Sequence, residues 1–386
     1  MGVPALVAAS VVVLTAAAEY NVVDYGARAG GRTDSAKAFL AAWAAACSDD
    51  ATGGPVVMRV PAGTFLVSHA YFKGPCRSAA GVVVAVDGAV VAPAAAVGST
   101  AWIMFHYAHD LEIRGGGTLD GRGQAYWACK AAAGRRCPPG TTEREREAAD
   151  AAQREERGAT EATDAAQRED CAGVTLRGVR MVAPGDSPNT DGVHVQLSTG
   201  VRILSATIRT GDDCVSLGPG TSDVVIRNIT CGPGHGLSIG SLRGEAGEAP
   251  VRNVTVDGAV LTGTQNGLRI KTWGKPNRGL VAGVACLSFT SIRMQDNPIV
   301  IDQNYCPGNI NCPGKSSGVK IRDVKLTDIK GTSRTPVAVR FECSGINPCT
   351  GITLKNINLT DGKPAQSLCK NAHGSASGVV IPPSCL

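Results

Sequence analysis

Six short stretches in the second half of the chain share one pattern: VTLRGVRM, VRILSATI, VVIRNIT, VTVDGAVL, VKIRDVKL and ITLKNINL. Each is a run of β-branched and aliphatic residues alternating with polar ones, followed by a turn. Alternation by two marks a strand with one buried face, whereas a helix would need apolar residues three and four apart. The units begin at Val174, Val201, Val224, Val254, Val319 and Ile352, at intervals of 27, 23, 30, 65 and 33 residues. The longest interval holds a weaker copy near Val284, VACLSFTSIRM. Strand-and-turn units recurring at this period predict a solenoid of stacked β coils. A β-sandwich would have more evenly spaced strands and more aromatic residues. The expected fold is all-β, a right-handed parallel β-helix. In such a coil, polar side chains from successive turns stack into one surface strip, so residues far apart in sequence share a cleft.

Two segments break the pattern. The start, MGVPALVAASVVVLTAAAEY, is an apolar run ending in small residues and reads as a secretory signal peptide over 1–18. Residues 141–170 are dense in Glu, Arg and Ala, carry DAAQRE twice, and have no apolar face of either period. They are expected to form an exposed helix or loop outside the solenoid. Residues 19–386 then make a single β-helix domain with a charged insert at about 141–170.

Composition narrows the class. Aromatic residues are only 4% of the 386, so the core is built from Val, Ile, Leu and Ala; the 48 glycines are scattered, as many tight turns require. The net charge of +5 comes without any Lys/Arg tract, which speaks against nucleic acid, and no second long apolar stretch speaks for a membrane. Fourteen cysteines suit an exported protein, and 129/137, 306/312, 343/349 and 369/385 are spaced for local disulfide loops. No pair has the CxxC spacing of a zinc site. Sequons at Asn228, Asn253 and Asn358 fit a secreted glycoprotein.

The candidate chemistry lies in Gly211-Asp212-Asp213-Cys214. Adjacent carboxylates on a strand point to opposite faces unless the backbone bends, and one facing an aliphatic core is costly. Gly211 offers a bend that would turn both to one cleft. Asp191, in Ser187-Pro188-Asn189-Thr190-Asp191-Gly192, falls about one coil earlier. Three carboxylates together raise the pKa of at least one, as a general acid needs. His235 sits between glycines in CGPGHG and is therefore exposed. In Arg269-Ile270-Lys271 the alternation puts both cations on one side, suited to gripping an anionic substrate by its carboxylate.

SPNTDG, GDDC, CGPGHGLSIGSL and RIKTW, in this order and spacing, resemble the polygalacturonases, glycoside hydrolase family 28. TGTQNGLRIKTW and VIDQNYCP are similar to the plant branch, particularly the pollen exopolygalacturonases. The resemblance covers 172–386 and extends to 20–127 through NVVDYGARAGGRTDS, VPAGTFLV and GGGTLDGRGQAYW. It implies a secreted, cell-wall-located monomer that hydrolyses α-1,4-galacturonosyl bonds of pectin with inversion and without metal or cofactor; of exo and endo attack, which residue order leaves open, the plant-branch likeness favours exo. By motif, Asp212 resembles the general acid, Asp191 and Asp213 the pair activating water, and His235 the histidine that tunes the acid. Asn189, Arg269, Lys271 and Tyr305 match substrate-binding positions, and Cys214–Cys231 the bridge bracketing the acid loop. The sequence departs from the family at GSLR (240–243) and at 141–170, where the charged segment stands in place of roughly one coil. A calcium-dependent lyase on the same fold would need several acidic ligands and a cationic base. A pectin-binding or allergen-like cell-wall protein with impaired catalysis is the alternative from another class.

Overall fold

The computed structural model describes residues 17–386 except 51–52, 95–100, 125–170, 188, 243–247, 287, 295, 307–311 and 361–364. Most of the expected leader, the Cys129–Cys137 pair, the 141–170 segment and Arg243 therefore lie outside the described residues. The rest is a right-handed parallel β-helix, as expected. The coils build a 22-stranded sheet, and among the described residues most add one strand to a second sheet, of two strands early in the chain (Ala70–Lys73 and Ile103–His106) and of seven strands later. Every strand pairing is parallel, coil upon coil. Inward positions form one aliphatic column after another; in one of them Val193, Val215, Leu237, Leu268, Ile299 and Val339 stack in register.

The repeat units fall where the alternation places them, with one correction. Val224, Val254 and Val284 stack in register, and the next in the column is Val324, not Val319. Val319 pairs with Gly279, five residues earlier in the same 15-residue strand, Val319–Ser333. The strand turns a corner at Asp323, where its alternation changes phase, so Val319 and Ile321 alternate before the corner and Val324 and Leu326 after it, and either valine looks like the start of a unit.

The corners of the large sheet have a conformation of their own. Asp110, Gly173, Gly200, Asp223, Asn253, Gly283, Asp323 and Gly351 all have φ between +50° and +68° and occupy one corner of successive coils. Neighbours touch: Asn253 Nδ2 donates to Asp223 Oδ1 at 2.9 Å, and a Cβ on Gly283 would meet Asn253 Oδ1 at 2.9 Å. A second column of left-handed residues includes Asn228, Gly258, Asp328 and Asn356. Left-handed backbone is cheap for Gly, Asn and Asp and costly for β-branched residues, which accounts for these types between the valine runs.

A helix at Ala36–Ser48 caps the N-terminal end of the solenoid. It buries Phe39, Ala42, Trp43, Ala46 and Cys47 against the first coils, and Cys47 is bonded to Cys76. The coils on either side of residues 125–170 stack directly. Leu111–Arg114 pairs with Thr175–Arg177, and Thr118–Asp120 pairs with Arg180–Val182. The large sheet therefore continues unbroken past the charged insert.

Candidate active site

A smaller sheet, built by the coils after residue 170, has seven strands and carries the site. Its strands are Val193–Val195, Asp213–Leu217, Gly236–Leu242, Leu268–Trp273, Ile299–Tyr305, Val337–Glu342 and Gln366–Lys370. His194, Ser216, Ser238 and Arg269 stack in register on its outer face, between the inward aliphatic columns.

The paired aspartates meet at one edge of this column. The register slips between Asp213 and Val215, so Cys214 is an extra residue. As the bulged residue, Cys214 turns inward, where it is fully buried and bonded to Cys231. The insertion reverses the alternation and sends Asp213 outward, away from the aliphatic core. The bend thus lies at Cys214 rather than at Gly211. Gly211 serves a different need: a Cβ there would lie 2.1 Å from the Ser187 carbonyl oxygen, so its absence lets the loop bearing Asp191 settle against the pair.

Asp213 is 1% exposed, and its charge is met on all sides. Lys271 Nζ donates to Oδ2 at 2.8 Å, Arg269 Nη2 to Oδ1 at 3.1 Å, and Ser238 Oγ to Oδ1 at 2.6 Å. Arg269 Nε also donates to Ser238 Oγ at 3.2 Å. Asp212 pairs instead with His235, Nδ1 to Oδ1 at 2.7 Å, and accepts from the backbone N–H of Asp213 at 2.8 Å and of Asn189 at 2.9 Å. Burial pushes the Asp212 carboxyl up, but the hydrogen bond and charge of His235, with the charge of Lys271 and the Asp213 N–H, outweigh it and hold its pKa below the ordinary value.

Asp191 lies one rung away, where the Gly192 N–H donates to the Asp213 carbonyl at 2.9 Å. Its Oδ2 accepts from Ser216 Oγ at 2.5 Å. Although 29% of its side chain is open to solvent, it sits in a crowded groove. Burial first, then the charges of Asp213 and Asp212, raise its pKa to about 6, against the Ser216 hydrogen bond and the charge of His194. Three carboxylates do raise one pKa, but the raised one is Asp191.

The structure therefore brings together Asp191, Asp212, Asp213, His235, Arg269 and Lys271. Tyr305 joins them: its ring centroid is 5.4 Å from Lys271 Nζ and 6.0 Å from the Arg269 Cζ, with Trp273 edge-on at 5.8 Å. Asn189 takes part through its main chain, at φ +53°, as a donor to Asp212. Sequence reading passed over His194, Ser216 and Ser238. His194 Nδ1 lies 2.7 Å from Ser216 Oγ and 3.9 Å from Asp191 Oδ2. The signal was present: with Val193 and Val195 inward, His194 must point outward into the same column as Arg269.

Asp212, Asp213 and His235 offer ligand atoms within 4.8 Å of one another, the spacing of a cation site. The donor set fits one badly, because both oxygens of Asp213 already bind cationic side chains. What the arrangement suits is proton transfer beside a cationic grip for a carboxylate.

Comparison with known proteins points the same way. The family model described as "Glycosyl hydrolases family 28" matches residues 47–379. A polygalacturonase of Prunus persica is 48% identical over 95% of this chain and 93% of its own length. An exopolygalacturonase of Platanus acerifolia is 37% identical over 94% of this chain and 96% of its own. Among solved structures, the hyperthermoactive exopolygalacturonase of Thermotoga maritima superposes with a TM-score of 0.60 at 18% identity, covering 89% of this chain and 92% of that one. With most of its length matched by the family model and a relative at 48% identity, the chain belongs to glycosyl hydrolases family 28.

Proposed function

We propose that this chain hydrolyses the α-1,4-galacturonosyl bonds of polygalacturonate with inversion, acting from chain ends. The observation that carries the reading is the buried Asp213 held between Arg269 and Lys271, with Asp191 on one side and the Asp212–His235 pair on the other. Arg269 and Lys271 keep N–H donors beyond those spent on Asp213, and these meet the carboxylate of a galacturonate unit against the Tyr305 ring. Asp212, drawing its proton from the pair it forms with His235, protonates the leaving oxygen. Asp191 and Asp213 hold a water on the opposite side, take its proton as its oxygen bonds to the anomeric carbon, and offset the positive charge developing on the ring. End-wise attack is supported by the likeness to the Platanus exopolygalacturonase. Five disulfides among the described residues support export to the cell wall. None of the described helices is long and apolar enough to cross a membrane. We take the enzyme to work as a monomer.

The raised pKa of Asp191 favours a second reading, in which Asp191 is the acid and Asp212, kept ionised by His235, holds the water. One experiment separates them. Asp212→Asn should lower turnover on polygalacturonate at least ~100-fold, the scale of general acid catalysis. On an aryl galacturonide whose leaving group needs no proton, that variant should recover and Asp191→Asn should not. Recovery of Asp191→Asn alone would exchange the two roles, and full activity of folded Asp212→Asn on polymer would end the proposal.

A further inference from the structure

Beyond the site strand Leu268–Trp273 the chain rounds a corner through Pro276 and Arg278 into the large sheet. Here the surface opens into a groove of about 700 Å³. Arg252 comes from one coil, Arg278 and Leu280 from the next, and Lys320 from a third. The register Val251–Val281–Ile321 ties these coils together, so the groove crosses successive rungs and runs along the solenoid axis. Parallel strands are ~4.8 Å apart, which spaces the cations by roughly 5–10 Å along that axis.

Some cations on the outer surface are paired with carboxylates, and others stand singly along the large sheet; here three are gathered in one groove. Arg59, Arg227, Arg322 and Arg340 each face a carboxylate. The side chains of Arg252, Arg278 and Lys320 have no ion pair or hydrogen bond among the described residues. Glu248 is the single acidic residue lining the groove. Three unpaired cations in one trough repel each other and favour a ligand whose negative charges also repeat along a line. Leu280 and Ile346, the latter 63% exposed, give the trough apolar patches suited to the C–H faces of sugar rings.

We propose that this groove is a second, non-catalytic site that binds an acidic polysaccharide lying along the solenoid axis, one corner away from the active site. That the polymer is polygalacturonate rests on the hydrolase reading above. Such a site holds a long chain near the cleft and does nothing for a short one.

The test compares the parent with Arg252→Gln/Arg278→Gln/Lys320→Gln, on trigalacturonate and on long polygalacturonate at low salt. The triple variant should keep its constants on the trimer, while its KM on polymer rises roughly tenfold, the scale of three exposed charge contacts. Its retardation in gels containing polygalacturonate should weaken to match. A control, Arg180→Gln/Arg202→Gln/Lys325→Gln, removes equal charge from the outer face of the large sheet and should change neither. Unaltered polymer retardation in the groove variant overturns the inference, and so does an equal loss in the control, which would mean net charge alone. Were the parent inactive on both substrates, the hydrolase reading would fail, while gel retardation would still decide the groove.

Discussion

The two faces of the solenoid are made from the same coils at the same rung spacing, yet their outward side chains live in different surroundings. On the large sheet, Arg59 lies between Glu19 and Asp87 at 2.7 Å each, with 34–46% of these side chains open to water. On the seven-stranded sheet, Asp213, Arg269 and Lys271 keep only 2%, 12% and 8% of their side-chain surface exposed. Exposed pairs contribute little because water screens them and the side chains lose freedom. A buried set is different: removing one member strands the others in a poorly solvated place. The scaffold is common to both, and the chemistry arises where outward charges are stacked closely enough to exclude water from one another.

Breaking the buried set should have the largest effect. Asp213→Asn leaves Arg269 and Lys271 without their counter-charge, so it should cost ~3–5 kcal/mol in urea unfolding and abolish turnover. A loss under ~1 kcal/mol would mean the set is hydrated like the surface pairs.

Asp191→Asn tests the same face in the opposite direction. The folded chain keeps a proton on Asp191 where the unfolded chain has lost it. The stability this group provides is complete below its ordinary pKa and is lost as pH rises through about 6. The variant should therefore be more stable than the parent at pH 7, by on the order of 2 kcal/mol, and no more stable near pH 3.5. Equal stability curves across that range would show that the carboxyl is not perturbed.

A third substitution probes the corners that join the faces. Asn253→Ala puts a Cβ-bearing residue with no local hydrogen bond at φ +53° and removes the donor to Asp223. It should cost about 1–2 kcal/mol, and Asn253→Gly much less. Thermal unfolding of the two variants side by side gives the comparison. The smallest effect is expected at Arg59→Gln, within about 1 kcal/mol and shrinking with added salt.

Much of this was legible from residue order alone, because a parallel coil writes its alternation directly into the chain. The strands, their outward polar strip and the gathering of Asp191, Asp212, Asp213, His235, Arg269 and Lys271 could be read that way. What escaped was phase. Val319 and Val324 begin equally good alternating runs, and only pairing with Gly279 and Val284 separates them. Glycine bends easily, so residue order points to Gly211 for the bulge, whereas the register slips at Cys214, whose place is set by its buried bond to Cys231 on the next coil, a contact no local pattern reveals. The cap at Ala36–Ser48 was not read because its alanine-rich stretch has little polar contrast around the helix. His194 was missed because a motif draws attention to its own residues and not to the neighbour sharing their column.

The left-handed corners have a consequence for how such a chain finds its fold. A coil slipped so that the next residue takes the corner would bring Val174, Val201, Val224, Val254, Val284, Val324 or Ile352 to a place where φ must be positive, and β-branched residues resist that strongly. Its aliphatic residues would also face water. Each turn therefore carries its own error check, made locally before the next coil has anything to stack upon. In a protein whose coils touch only their neighbours, a slip has no distant contact to correct it, and the asparagines, aspartates and glycines at the corners act as proofreaders of the growing stack.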